Sequence, residues 1–484
     1  MTTSTNITYE TVIGLEVHLQ LATKTKIFCN CANEFGGNPN SRTCPVCLGL
    51  PGSLPVVNRK TVEYAIKIGL ALNCKINTFI KFDRKNYYYP DCPKNYQISQ
   101  FDFPITHHGH LDIALEDGSM KKITIERGHL EEDAGKLIHD DANNCSLVDF
   151  NRTGTPLLEI VTGPDMRSPQ EAYDYLQTLK LNLQYLDVSD CDMEKGSLRC
   201  DANVSIRKMG DTKLGTKTEL KNMNSFKAVK AGLEFEVNRQ RQLLEAGERI
   251  IQETRLWDEA KAVTVLMRTK EEAHDYRYFP EPDLVPFTLQ ESVIEDVRKT
   301  LPELPAAKLK RFISEYKLSE YDAGVLIQDK MAANYFEECV KHFADTKKIV
   351  NWVNGPLLKE LKSRKASIAE INLKPASLTK LIERVEDGTI SNLVGKDVLT
   401  LMIDSGKSAA GIIEEKGLAQ VSDQGFLEEV VDELIKEHDN IVTQIKEGKD
   451  SAIGFLVGQA MKKTQGKANP KKISELIRGR ILNA

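Results

Sequence analysis

Thr11-Val12-Ile13-Gly14-Leu15-Glu16-Val17-His18-Leu19 combines β-branched residues with alternation, which favours a pleated strand. On such a strand Glu16 and His18, two apart, face one side. Lys121-Lys122-Ile123-Thr124-Ile125-Glu126-Arg127 and Asn203-Val204-Ser205-Ile206-Arg207 read the same way. Between them, Thr61 to Leu72 and Ser168 to Leu186 read as helices, the second opened by Ser168-Pro169-Gln170-Glu171. Strands and helices intermix without a regular βαβ period. That predicts an α+β fold with a mixed or antiparallel sheet rather than a doubly wound one.

From about residue 292 glycine thins out and helix formers dominate. Leu301-Pro302-Glu303-Leu304-Pro305 punctuates the entry, and apolar residues recur at helical spacing through Leu399. A glycine-containing stretch, Asp404 to Gly411, precedes an amphipathic helix with Leu427, Val430, Val431, Leu434 and Ile435 on one face. Three parts are expected: residues 1–292, an all-α region 293–408 and a small all-α tail 409–484.

The 484 residues are 41% hydrophobic and 28% charged, with 65 Lys+Arg against 70 Asp+Glu, a net −5. This composition excludes a mainly disordered chain and a global polycation. The last stretch, Gln459 to Ala484, departs from the average: Lys462, Lys463, Lys467, Lys471, Lys472, Arg478 and Arg480 face a single acid, Glu475. Such a patch grips phosphates or is a solvated helix face. No apolar run reaches membrane-spanning length, and the polar N-terminus lacks a secretory or transit pattern, so a cytoplasmic protein is expected.

Two cysteine pairs, Cys29-x-Cys31 and Cys44-x-x-Cys47, lie across a short turn-forming loop, 29–47. Four thiolates at this spacing suit a closed, structural zinc site; the alternative is four free thiols. A second set comprises Glu16 and His18, then Glu131-Glu132-Asp133 after an expected turn at Arg127-Gly128-His129, then Glu159. Hard oxygens plus one imidazole suit Mg²⁺, although spacing alone favours unrelated surface acids on separate strands. The segments Lys81 to Asp91 and Pro93 to Asp102 are both polar and tyrosine-rich, as a binding cleft requires. Lys217, Glu219 and Lys221 alternate onto one strand face, either a phosphate and metal surface or a wet sheet face. Gly406-Lys407-Ser408 is no phosphate loop, because Leu401 stands where its first glycine belongs. Dinucleotide, nucleophile-elbow and HExxH signatures are also missing.

Taken together these segments resemble the GatB/GatE family, the B subunits of tRNA-dependent amidotransferases and their archaeal relatives. The resemblance is carried by Val12 to His18, Lys81 to Asp91, Tyr96 to Asp102, His129 to Lys136, Asp149 to Arg152, Ser197 to Arg207, Gly215 to Phe226, Ala273 to Asp283, Gly454 to Gln459 and Ala468-Asn469-Pro470. It spans essentially the whole chain, and the length favours the GatB branch. It implies a cradle-like N-terminal domain that uses ATP and Mg²⁺ to phosphorylate the side-chain carboxylate of misacylated Glu-tRNA(Gln) or Asp-tRNA(Asn). Ammonia then displaces phosphate. The resemblance implies that a separate amidase, GatA, releases this ammonia from glutamine, and that it is channelled inside a heterotrimer completed by the small protein GatC. By position the resemblance implies that Glu16, His18, Glu131 and Glu159 hold Mg²⁺. It implies that Lys85 and Lys94 line or gate the ammonia path, one of them pairing with a carboxylate such as Glu131. Arg152, Lys217, Glu219 and Lys221 are implied contacts of ATP phosphate or the aminoacyl group. The helical regions and basic tail would hold tRNA. The rival reading is a non-catalytic tRNA-binding module.

Overall fold

In the computed structural model the first alternating run is strand β1 (Tyr9–Gln20), with Ile13, Leu15, Val17 and Leu19 buried on one side. Residues 8–269, 275–419, 424–446, 449–464, 468 and 470–482 are described. Ala273, His274, Lys467 and Asn469 of the sequence motifs lie outside them.

Along the chain follow α1 (Arg59–Ala71), β2 (Lys75–Ile76), β3 (Phe79–Ile80), β4 (Asp83–Asn86), β5 (Tyr96–Ser99), β6 (Thr106–Ala114), β7 (Met120–Glu132), β8 (Lys136–Asp140) and β9 (Cys145–Asp149). Then come β10 (Pro156–Thr162), α2 (Pro169–Tyr185), β11 (Leu198–Lys208), β12 (Thr218–Lys221), α3 (Phe226–Glu245), β13 (Glu253–Asp258), β14 (Val263–Thr269), β15 (Phe279–Pro280), β16 (Phe287–Thr288) and α4 (Glu291–Lys299). Among the described residues, nine strands form one sheet in the order β14-β13-β12-β11-β1-β10-β7-β6-β2. Every neighbouring pair is antiparallel except β12 with β13, so the sheet is mixed and the α+β expectation holds.

Alternation divides this sheet into two faces. Helices α1, α2 and α3 pack on the sheet, and Val62, Leu176, Leu179, Val229 and Leu233 join Ile13 to Leu19 in one core. Ser168 caps α2 by accepting from the Glu171 N–H, as the sequence signature requires. The odd-numbered residues of β1 serve this core, which leaves Glu16 and His18 on the opposite face.

One expectation fails. No turn interrupts Arg127-Gly128-His129, and β7 runs unbroken from Met120 to Glu132. Gly128 sits opposite Thr106 of β6, and a Cβ there would lie 2.6 Å from Thr106 Oγ1. The glycine marks a close approach inside a strand rather than a bend.

The chain divides into two units, Met1–Pro305 and Ala306–Ala484. Helix α4 places Ile294 and Val297 in the core of the first. In the second, Phe312 to Ile413 supply one apolar cluster and Leu427 to Ile481 another. The stretch around Gly406 is a helix boundary: Gly406 is the left-handed cap of helix Asn392–Ser405, and Ser408 caps the next helix. No helix among the described residues is long and apolar enough to cross a membrane.

Candidate metal centre and cleft

Register places the candidate ligands. His18 on β1 lies opposite Glu159 on β10, and Glu159 lies opposite His129 on β7. Directly opposed residues share a side, so the three form a row across adjacent strands. Glu131, two residues beyond His129, shares that face. His18 Nε2 lies 3.4 Å from Glu159 Oε2 and 3.9 Å from Glu131 Oε1. His129 Nε2 lies 3.1 Å from Glu159 Oε2 and 3.6 Å from Glu131 Oε2. One donor atom from each of His18, Glu131 and Glu159 falls within 4.8 Å of the others. The donor chemistry, two carboxylates and an imidazole, fits a hard divalent cation.

The electrostatics are those of a closely packed charged cluster. Burial opposes protonation of both imidazoles, but the Glu131 and Glu159 carboxylates outweigh it; His18 is raised and His129 is pushed up to about 9. Burial likewise opposes ionisation of the carboxylates. His129 and Lys85 outweigh it at Glu131, and the two histidines do so at Glu159, so both are held below the usual carboxylate range. His129 Nδ1 is buried and finds no hydrogen-bond partner among the described residues.

Glu16 is not part of this group. It sits two residues from His18 in the direction away from Glu131, opposite Val161 on β10 and Asp201 on β11, and its Oε1 accepts from Asn203 Nδ2 at 2.9 Å. It borders a cleft of about 360 Å³ on the same sheet face, lined also by Gly14, Arg127, Asn203 and Lys217. The cleft therefore adjoins the row of candidate ligands through Glu16.

The other expected residues fall in distinct places. Lys85 on β4 has its ammonium 5.2 Å from the Tyr276 ring centroid; burial opposes its charge, but Glu131 and its other neighbours raise its pKa. Lys94 pairs with Glu132, not Glu131; both side chains are buried, and Glu132 also accepts from the Ile98 N–H at 2.9 Å. Glu131 and Glu132 are adjacent on β7 and so point to opposite faces. Arg152 donates to the carbonyls of Ala134 and Gly135 and lies 3.5 Å from Asp133. Lys221 pairs with Asp201 and, at 3.2 Å, with Glu219, which accepts from Thr254 Oγ1. Lys217 is exposed at the cleft. At the aromatic segment, Phe101 stacks on Tyr278 with centroids 4.3 Å apart.

Sequence reasoning missed His129. The signal was its parity with Glu131, hidden by the turn expected at Gly128.

The four cysteines Cys29, Cys31, Cys44 and Cys47 do converge, with one sulfur from each inside 4.8 Å of the rest, and none is in a disulfide. The Cys47 thiol is lowered to about 5 by the Cys29 thiol, the Cys44 N–H and Lys26, against the effect of burial. Its thiolate then works against the others: Cys29 is raised by Cys47 and by burial, and Cys31 is raised to about 11, first by burial. A soft dication would relieve that repulsion, so the set is compatible with zinc.

Residues 11–295 match the family model described as GatB/GatE catalytic domain, and residues 334–481 match GatB domain. Among curated proteins the chain is 55% identical over 476 residues to the B subunit of an aspartyl/glutamyl-tRNA(Asn/Gln) amidotransferase from Carboxydothermus hydrogenoformans, covering 98% of this chain and 99% of the relative. The protein of the same description from Caldanaerobacter subterraneus subsp. tengcongensis is 54% identical, with 97% and 98% covered. That from Clostridium tetani is 52% identical, also with 97% and 98% covered. The row of candidate ligands lies inside the matched catalytic domain, and the chain belongs to the GatB/GatE amidotransferase family.

Proposed function

We propose that this chain is the activating component of an amidotransferase that converts Glu-tRNA(Gln), Asp-tRNA(Asn) or both into Gln-tRNA(Gln) and Asn-tRNA(Asn). The observation that carries this reading is the convergence of His18, Glu131 and Glu159 from three adjacent strands beside an open cleft. A binding module would leave this buried constellation of carboxylates and histidines idle.

Mg²⁺ held by His18, Glu131 and Glu159 would neutralise charge on the nucleotide's phosphates. ATP would lie in the cleft past Glu16, where Gly14 lets the backbone come close and Lys217 and Arg127 offer positive charge. Arg152, Lys221 and Glu219 orient the surrounding face through the contacts above. A side-chain carboxylate oxygen attacks the γ-phosphorus, ADP leaves, ammonia adds to the acyl carbon, and phosphate departs with that oxygen. His129 would hold Glu159 and Glu131 in position for the cation. Lys85 and Lys94 line the ammonia route. The stacked Phe101 and Tyr278 offer a platform for the terminal base of the acceptor end.

Zinc in the four-cysteine loop, the amidase GatA, the small protein GatC and a cytoplasmic location complete the reading. The division expected as 1–292, 293–408 and 409–484, with its first boundary moved to Pro305 so that α4 stays with the first unit, then separates catalysis from two tRNA-holding helical parts. The test uses the chain co-purified with its partners, given Glu-tRNA(Gln), ATP, Mg²⁺ and ammonium, which bypasses the amidase. Wild type should form Gln-tRNA, and His18→Ala and Glu131→Ala should lose product while still binding tRNA. Full activity in both variants would sink the assignment. Product from Asp-tRNA(Asn) alone would change the substrate and keep the chemistry.

A further inference from the structure

We propose that the four-cysteine loop is a strut that sets the Lys94–Glu132 pair, so that metal binding by the thiols controls the route to the carboxylate centre. This rests on the reading of Lys94 as part of the ammonia route.

The two features share a cavity of about 200 Å³, lined by Cys29, Cys47, Gly49, Lys94, Glu132 and Gly154 among others. Gly49 follows Cys47 by two residues and has φ +67°. A Cβ there would lie 2.3 Å from Lys94 Cγ and 3.1 Å from its Cδ. The exit turn of the loop thus rests directly on the stem of Lys94. The opposite partner is braced similarly: a Cβ on Gly154 would lie 3.5 Å from Cys47 Cβ and 3.9 Å from Glu132 Oε2. The Ile27 N–H donates to the Gly154 carbonyl at 2.9 Å, tying that loop to the same knuckle.

Lys26 supplies a further contact. It is fully buried, with Nζ 3.8 Å from Cys47 Sγ and 2.7 Å from the Arg42 carbonyl. These two contacts brace the loop from within, one at each side of the Cys44 turn. Without the dication nothing ties the four sulfurs together, and the 44–49 turn loses its anchor. Lys94 then gains room to leave Glu132. Because Glu132 is next to Glu131 on β7, the change reaches the ligand row through one peptide.

Lysine methylation followed by mass spectrometry reads Lys94 directly, in the assembled complex. The Lys94 side chain is 7% exposed, and Lys299, 74% exposed, serves as the internal control. Stripping zinc with a chelator, or the Cys31→Ser change, should raise Lys94 labelling relative to Lys299 by about tenfold or more. Gly49→Ala should do the same with zinc content unchanged. In each case the ratio of glutamine-driven to ammonium-driven amidation should fall. Lys94 remaining protected after zinc loss and in Gly49→Ala overturns the proposal. The labelling arm stands even if no amidation is seen with wild type, an outcome that would instead count against the proposed function.

Discussion

Replacing Lys94 by Met keeps the length of the side chain and removes its charge, leaving Glu132 buried against β5. Two unit charges about 3 Å apart attract by about 5 kcal/mol at an effective dielectric near 20. The Ile98 N–H remains on Glu132, so part of the solvation survives. Breaking one side of a buried pair costs about 3–5 kcal/mol. The penalty should therefore be about 3–4 kcal/mol. Adding Glu132→Gln should recover at least about 2 kcal/mol. The chain has two tryptophans, Trp257 in the core of the first unit and Trp352 in the second. In a Trp352→Phe background, urea unfolding followed by fluorescence reports the first unit alone. A penalty below about 1 kcal/mol would refute the reasoning.

Three further outcomes are expected. Glu159→Gln removes the charge shared by both histidines and a direct ligand, and Mn²⁺ titration by electron paramagnetic resonance should show affinity weakened by at least the roughly 10- to 100-fold that losing a residue behind a ligand costs; unchanged affinity would place the cation elsewhere. Gly395→Ala forces a methyl to within 2.9 Å of the Trp352 ring and 2.7 Å of Val385 Cγ2, so the second unit should lose about 1–3 kcal/mol in thermal unfolding followed by Trp352. Burial opposes the charge of Glu337, but Lys308 at 2.6 Å and Arg311 hold its carboxyl below the usual range. That contribution is present above the ordinary glutamate range and is lost as pH falls through the lowered value, so Glu337→Gln should destabilise at pH 7 and much less near pH 3. Equal destabilisation at both values would contradict the pairing.

Much of the frame was readable from residues. Alternation found β1, β11 and most of β7, and the Ser168 cap signature found α2. The four cysteines announced themselves by spacing. The carboxylate site was harder, because it is made by register between strands far apart in sequence. Nothing local says that His18 meets Glu159, or that Glu159 meets His129. Gly128 did positive harm: a glycine between charged residues looks like a turn, yet here it lets Thr106 approach a straight strand. Reading a turn there broke the parity of His129 and Glu131. Glu16 was grouped with His18 by the same parity rule, but register carries it to the other side of the row, toward the cleft. Parity assigns a face, and only register assigns a neighbour.

The most direct test of the account follows the oxygen. Glu-tRNA(Gln) carrying ¹⁸O in the glutamate side-chain carboxylate is given to the complex with ATP, Mg²⁺ and ammonium, and the released phosphate is examined by mass spectrometry. The account predicts ¹⁸O in the phosphate with wild type, and loss of both phosphate release and Gln-tRNA with His18→Ala and Glu159→Gln. Unlabelled phosphate accompanying Gln-tRNA formation, or full label transfer by both variants, would contradict it.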